Sequence, residues 1–318
     1  MNIGFLSNQI GLRGTEVAMF DYAKYNEELL GNNSIIATFG RELNESAFNK
    51  FKDRFDKVHI ISENESSLNK FVDDNKIDIL YKICFGNPET LPTNCKTAIH
   101  AVFNTFNPFG NVYAYVSEYI RDKSVPFHLR DQYSYVPHII YLPDIDSNLR
   151  SSLNIPQDAT VFGYHGGKDS FNMDFVKKCI IDVLEIKKDI YFIFMNVDKF
   201  YDHSRIVFLE GNSDLEYKTK FINSCDAMIH ARSIGETFGI ACGEFSLRNK
   251  PVIAYANGID TNHLNILNDK AITYSDYYNL LEIFKNFKDY SAPDADWNCY
   301  RDFSPDKVMQ RFKKVFID

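Results

Sequence analysis

Short, almost uninterrupted apolar runs recur along the chain, separated by longer stretches in which polar and apolar positions mix. In the first half the runs are NIGFLS (2–7), SIIATF (34–39), KVHIIS (57–62), IDILYKIC (77–84), KTAIHAVF (96–103) and VYAYVS (112–117). Each is rich in β-branched or aromatic residues and is bounded by polar, Gly or Pro residues, the pattern of strands buried on both faces. Residues 15–30 read as a helix between the first two runs. Strand and helix in alternation predict a parallel sheet with right-handed crossovers. A second series follows: TVFGYHG (160–166), DIYFIFMNV (189–197), RIVFLEG (205–211), CDAMIHA (225–231), PVIAYA (251–256) and KAITYS (270–275). Residues 135–159 separate the two series, are rich in Pro, Asp, Asn and Ser, and read as a linker. The pattern therefore predicts one α/β domain over 1–142, a second over 143–300, and a final helix within 301–318. That helix has Ser304 as N-cap, Pro305 in its first turn, and Val308, Phe312, Val315 and Phe316 on one face.

The length of 318 residues suits two domains, and 45% apolar with 25% charged residues is ordinary globular composition. The balance of 35 basic and 43 acidic residues leaves a net charge of −8, with no broad basic face, so nucleic acid is not an expected partner. Six cysteines show no C-x-x-C spacing and no histidine at zinc-ligand distance, which fits reduced thiols in a cytoplasmic protein. No run reaches the length of a membrane span and no secretion signal opens the chain. Peripheral contact with a membrane stays open.

The chemistry concentrates in HARSIGETFGIACGEFSLRNKPVIAYANG (230–258). A loop after the strand CDAMIHA carries Glu236. A helix from about Gly239 to Arg248 carries Glu244, and Asn249 and Pro251 end it before the next strand. Ligands of open parallel sheets bind outside the carboxyl ends of strands. The N–H groups of Phe238, Gly239 and Ile240 lie at a helix start, a ready anion site, and Gly239 lets backbone approach a ligand. Glu244, about a turn and a half deeper among apolar neighbours, is expected to face the ligand and accept two hydroxyls of a ribose. Spacing alone would also allow two carboxylates that cap or solvate a helix.

The segment resembles the E-x7-E motif of retaining GT-B glycosyltransferases, family 4 in particular. Ser233, Glu236, Phe238 and Gly239, then Glu244, then Lys250-Pro-Val-Ile agree with that motif in order and spacing, and Asp226-Ala227 matches the opening of the preceding strand. Thr237 and Phe245-Ser246 depart from it. The resemblance implies two Rossmann-like domains facing across a cleft, the last helix crossing back to the N-terminal domain, and acceptor contacts in that domain. It implies transfer of a hexose-like sugar, with retention, from a nucleoside diphosphate sugar such as a UDP- or GDP-sugar to a hydroxyl of a glycan or lipid-linked acceptor. With no D-x-D pair in a suitable loop, neither metal nor cofactor is expected. Glu236 would orient the sugar.

Further residues carry over with the resemblance. SNQIGLRGTEVAMF (7–20) is similar to the family's N-terminal glycine loop, with Gly11, Gly14 and Thr15 offering backbone N–H groups to the donor phosphate or the acceptor, Gly14 as a donor-binding residue, and Arg13 a cation. It is not G-x-G-x-x-G, so a nicotinamide site gets little support. His100 is expected near a sugar hydroxyl, although a lone histidine in an apolar strand also reads as core. Ser117 and Glu118 fit the cleft or a helix cap. In VFGYHGGKDSFN (161–172) the family's phosphate-binding Arg position is Tyr164; Gly166, Gly167 and Lys168 are the phosphate candidates, and Arg232 is a substitute cation. Glu210, Gly211 and Asn212 are expected near the base. Two other readings stay open: a sugar-nucleotide epimerase of the same architecture, and a non-catalytic nucleotide-sugar-binding protein, which the Tyr164 departure favours.

Overall fold

The structure is a computed structural model that describes residues 1–292 and 294–318. The chain forms two compact units: Met1–Ile139 together with Phe303–Asp318, and Ile140–Asp302.

In the first unit β1 (Asn2–Ser7), β2 (Asn33–Thr38), β3 (Val58–Ile60), β4 (Ile79–Cys84), β5 (Lys96–Ala101) and β6 (Val112–Tyr115) make one parallel sheet in the order β3-β2-β1-β4-β5-β6. This is the strand order of a dinucleotide-type Rossmann sheet, with its switch point between β1 and β4. Helices α1 (Gly14–Glu28), α2 (Glu45–Arg54) and α3 (Glu65–Asn75) connect β1 through β4 in turn, and α4 (Glu118–Ser124) follows β6. Local sequence sets the helix starts: Asn44, Asn64 and Ser117 accept from Ala47, Ser67 and Ile120 N–H, respectively. Ser117 is thus a cap, and Glu118 pairs with Arg121 at 3.0 Å on the surface.

In the second unit β7 (Thr160–His165), β8 (Ile190–Met195), β9 (Ile206–Leu209), β10 (Ala227–His230), β12 (Val252–Tyr255) and β14 (Ile272–Tyr274) form a parallel sheet in the order β14-β12-β10-β7-β8-β9. Its switch point lies between β7 and β10. Two dipeptide strands, β11 (Gly235–Glu236) and β13 (Asp260–Thr261), pair with each other outside it. Helices α5 (Asp174–Ile186), α6 (Leu215–Asn223), α7 (Ile240–Leu247), α8 (Asn262–Leu267), α9 (Tyr277–Lys285) and α10 (Phe287–Tyr290) complete the unit. Its core is aromatic: Phe162 stacks on Phe192 at 5.5 Å and meets Phe284 at 4.8 Å.

The last helix, α11 (Pro305–Phe312), belongs to the first unit and runs on into a wider π-type turn, Lys313–Ile317. Phe312 lies 5.2 Å from both Tyr22 and Tyr81, and Phe316 lies 5.3 Å from Tyr81. Val308, Met309, Phe312 and Phe316 are buried. Ser304 is extended but makes no side-chain cap, while Pro305 and the acidic Asp306 both stand in the first turn as expected. Among the described residues no helix is long and apolar enough to cross a membrane.

Candidate active site

The second unit gathers chemistry at the carboxyl ends of β7 and β10, the switch point where open α/β sheets leave a crevice. The loops after the two strands are tied together: Asn172 N–H donates to Ala231 O at 3.1 Å, and Ser233 N–H to Asn172 Oδ1 at 2.9 Å. The β10 loop turns back through β11, where Gly235 has φ +74° and a Cβ would stand 1.9 Å from Asp260 O. Only glycine allows that pairing. α7 then starts from Gly239, whose φ of +86° places it in the left-handed region and whose Cβ would meet His263 at 3.0 Å. No side chain caps the first amides of α7, so among the described residues these N–H groups have no side-chain acceptor from the N-cap position.

Glu236 sits at this turn. Arg232 Nη1 donates to its Oε2 at 2.8 Å, and His230 Nε2 lies 3.3 Å from Oε1. Burial pushes the carboxyl up, but the His230 hydrogen bond and the Arg232 charge outweigh it and hold Glu236 below the ordinary carboxylate range. His230 and His263, both buried, lie ring to ring at 4.7 Å. Burial, with His230 beside it, lowers His263 to about 3, so its imidazole is neutral. Neither ring nitrogen of His263 has a hydrogen-bond partner among the described residues.

Glu244 departs from expectation. It does not present an open carboxylate: at 3% exposure it is enclosed, with Lys218 Nζ of α6 at 2.7 Å from Oε1 and His165 Nε2 at 3.0 Å from Oε2. Burial raises its carboxyl, yet Lys218 and His165 together bring it down to about 2. The reason is local: α6 delivers a lysine, itself 8% exposed, and the end of β7 delivers His165 to the same buried carboxylate. Lys218 and His165 escape sequence reading because the pairs are 26 and 79 positions apart along the chain.

Other expected residues sort by what they touch. Tyr164 is buried against Phe171 at 5.0 Å and packs in the core rather than standing in for a phosphate-binding arginine. Gly166 is required by that tyrosine, since a Cβ there would lie 2.6 Å from the Tyr164 hydroxyl; a Cβ at Gly167 would lie 2.9 Å from Ser170 Oγ. Lys168 is exposed in the β7 loop and paired with Asp198 at 3.0 Å, an ion pair weak enough to exchange. Arg232 is committed to Glu236. Phe238 is 2% exposed with its ring edge-on to Tyr300, leaving only its backbone for a ligand, while Ile240 opens α7. Glu210 and Gly211 follow the edge strand β9, two strands from β7 across the sheet.

In the first unit, Arg13 is the residue before α1 and Gly14 its first residue, both exposed at the loop after β1. His100 is corrected: it is 0% exposed in β5, with Nδ1 2.7 Å from the Tyr81 hydroxyl and its ring 5.4 Å from Phe316. Burial lowers it to about 3, and a neutral core imidazole beneath the last helix touches no sugar. A residue the sequence reading missed is Lys82 of β4, 0% exposed, with Nζ 2.6 Å from Glu89 at this unit's own switch point.

No protein-family profile matches the chain, and no curated protein matches it in sequence. Solved structures do. HepE of Anabaena, in complex with UDP and glucose, is 13% identical over 99% of this chain and 98% of that one, with a TM-score of 0.72. A glycosyltransferase from Rickettsia africae is 13% identical over 99% and 97%, with a TM-score of 0.67. A candidate UDP-N-acetylglucosamine 2-epimerase from Listeria monocytogenes is 10% identical over 98% and 94%, with a TM-score of 0.64. With its two six-stranded parallel sheets, each in Rossmann order, the chain has the GT-B fold.

Proposed function

We propose that the protein is a retaining glycosyltransferase that moves a hexose-like sugar from a nucleoside diphosphate sugar to a hydroxyl of a glycan or lipid-linked acceptor. The observation that carries this reading is Glu236. It is an ionised carboxylate oriented by Arg232 and His230, one turn of chain before an uncapped helix start, at the switch point of the second sheet. HepE, of the same fold, was solved with UDP and with UDP-glucose, which supports a UDP-sugar as donor.

In this reading the diphosphate lies at the start of α7, where the helix dipole and the backbone N–H groups of Gly239 and Ile240 offset the charge that grows on the leaving group. Lys168 adds its charge by leaving Asp198, and Gly166 and Gly167 border the phosphates. Glu236 accepts from sugar hydroxyls and fixes the ring. Glu244, enclosed by Lys218 and His165, ties α7 to α6 and to the end of β7 and leaves the ribose to other groups. The chemistry needs no metal, since the dipole and the lysine carry the stabilisation. The loop after β1 in the first unit offers the Gly14 N–H, with Arg13 as a cation, to the donor phosphate or the acceptor, and the protein works in the cytoplasm with peripheral access to membranes.

Nucleoside diphosphate release from a panel of activated sugars tests the proposal. Slow release without acceptor that speeds up with a hydroxyl acceptor supports it; no release from any donor contradicts it. The epimerase reading keeps one favouring observation, a carboxylate beside two buried imidazoles, together with the Listeria structure of the same fold. It predicts deuterium uptake into the sugar from heavy water with no acceptor present, which the transferase reading does not.

A further inference from the structure

The amino ends of the second unit's strands line an open pocket of about 500 Å³, unrelated to the proposed transfer site. Thr160 starts β7, Asp226 immediately precedes β10, and Lys250-Pro251 precedes β12, so the cavity lies at the opposite edge of the sheet from Glu236. Even the four residues of β10 put roughly 13 Å between the two edges. The volume falls within the range of small-molecule pockets.

Its polar lining divides into spent and unspent groups. Arg150 is largely spent: it donates to Ser224 O, Gln157 O and Ala159 O and pairs with Asp226 at 2.9 Å. Asp226 Oδ2 also takes Val161 N–H at 2.7 Å, so this pair cancels its own charge. Lys250 and Lys288 remain. Among the described residues neither ammonium has a hydrogen bond or an ion pair, and Asp158 is the other carboxylate on the wall. Burial also pulls Lys250 down, the condition an anion would relieve. A local positive excess in a chain of net charge −8 is out of keeping with the rest of the molecule.

The apolar wall is aromatic. Trp297 and Phe287 line it. Trp297 is pinned by its backbone: its N–H donates to Asn249 Oδ1 at 2.7 Å and its carbonyl accepts from Ser246 Oγ at 2.6 Å. Asn249 reaches that position from a left-handed φ of +56°. A left-handed asparagine thus fixes the backbone of Trp297 in the wall that Lys250 and Lys288 also line. We propose that this cavity binds a small planar organic anion, an aromatic ring bearing a phosphate or carboxylate, with Lys250 and Lys288 on the charge and Trp297 against the ring.

Trp297 is the chain's single tryptophan, so its fluorescence reports this cavity alone. Phenyl phosphate titrated into the full-length protein is expected to change that emission saturably and to raise the melting temperature. Inorganic phosphate and phenol, each carrying half of the chemistry, bind more weakly. Lys250→Gln and the exposed Lys288→Gln each weaken phenyl phosphate roughly tenfold or more, the loss of one charge-assisted hydrogen bond, with the melting temperature of the free protein kept in Lys288→Gln. Saturating UDP leaves the titration unchanged. The proposal is overturned by a titration that does not saturate at millimolar probe, by equal affinity for inorganic phosphate, by unchanged affinity in both lysine variants, or by competition from UDP.

Discussion

At the scale of single residues, the two glutamates that the sequence makes look alike have different surroundings. Glu236 keeps a fifth of its side chain exposed and its charge is oriented by two neighbours; Glu244 is enclosed by a lysine and a histidine. Glu236→Gln should therefore lower kcat by roughly 100-fold or more, as loss of a positioned catalytic carboxylate does, with nucleotide affinity nearly unchanged. Lys218→Met should instead act on stability. Stranding a buried carboxylate costs about 3–5 kcal/mol, read from urea denaturation at neutral pH. The pH dependence follows from the direction of the shift. Glu244 is held at about 2, below its ordinary 4.5, so its contribution is complete above about 4.5 and is lost as pH falls towards 2. That span corresponds to about 3 kcal/mol in the wild type, and Lys218→Met should move the acid limb of the stability profile to higher pH. His100 shows what one sequence cannot separate: a histidine in an apolar strand is written identically whether it meets a sugar or, as here, Tyr81 and Phe316.

At the scale of elements, the long buried strands were legible because a strand covered on both faces has to be apolar throughout, and all twelve sheet strands fall on the runs quoted above. β11 and β13 were not legible. A two-residue strand has no period, and its signature is the left-handed Gly235 against Asp260 rather than any hydrophobic pattern. Gly235→Ala should accordingly disrupt the Glu236 turn and reduce activity together with stability. Gly239→Ala adds strain of about 1–2 kcal/mol at the start of α7 and should weaken nucleotide binding, measured by calorimetry. The last helix was predicted from its caps and its apolar face; its aromatic contacts were not. Phe312 touches Phe5, Tyr22 and Tyr81 together, so Phe312→Ala should destabilise the protein by about 3–5 kcal/mol in chemical denaturation.

At the scale of the whole molecule, two Rossmann-type sheets each place a charged pair at a switch point: Lys82 of β4 with Glu89 in one unit, Glu236 with Arg232 after β10 in the other. Parallel strands joined by helical crossovers follow from the alternation, so the fold class could be argued from pattern, whereas the strand order and pairings such as Lys218 with Glu244 depend on what only the folded chain brings together. The central claim is that the start of α7 and Glu236 act together on an activated sugar. Its most direct test is nucleoside diphosphate release from UDP-, GDP-, ADP- and TDP-sugars by the wild type and by Glu236→Gln, with melting temperatures recorded for each free nucleotide. The account predicts that one nucleotide raises the melting temperature of both proteins equally while its sugar is turned over by the wild type at roughly 100-fold or more the rate of the variant. Wild-type turnover by Glu236→Gln, or no stabilisation by any of the four nucleotides, would contradict it.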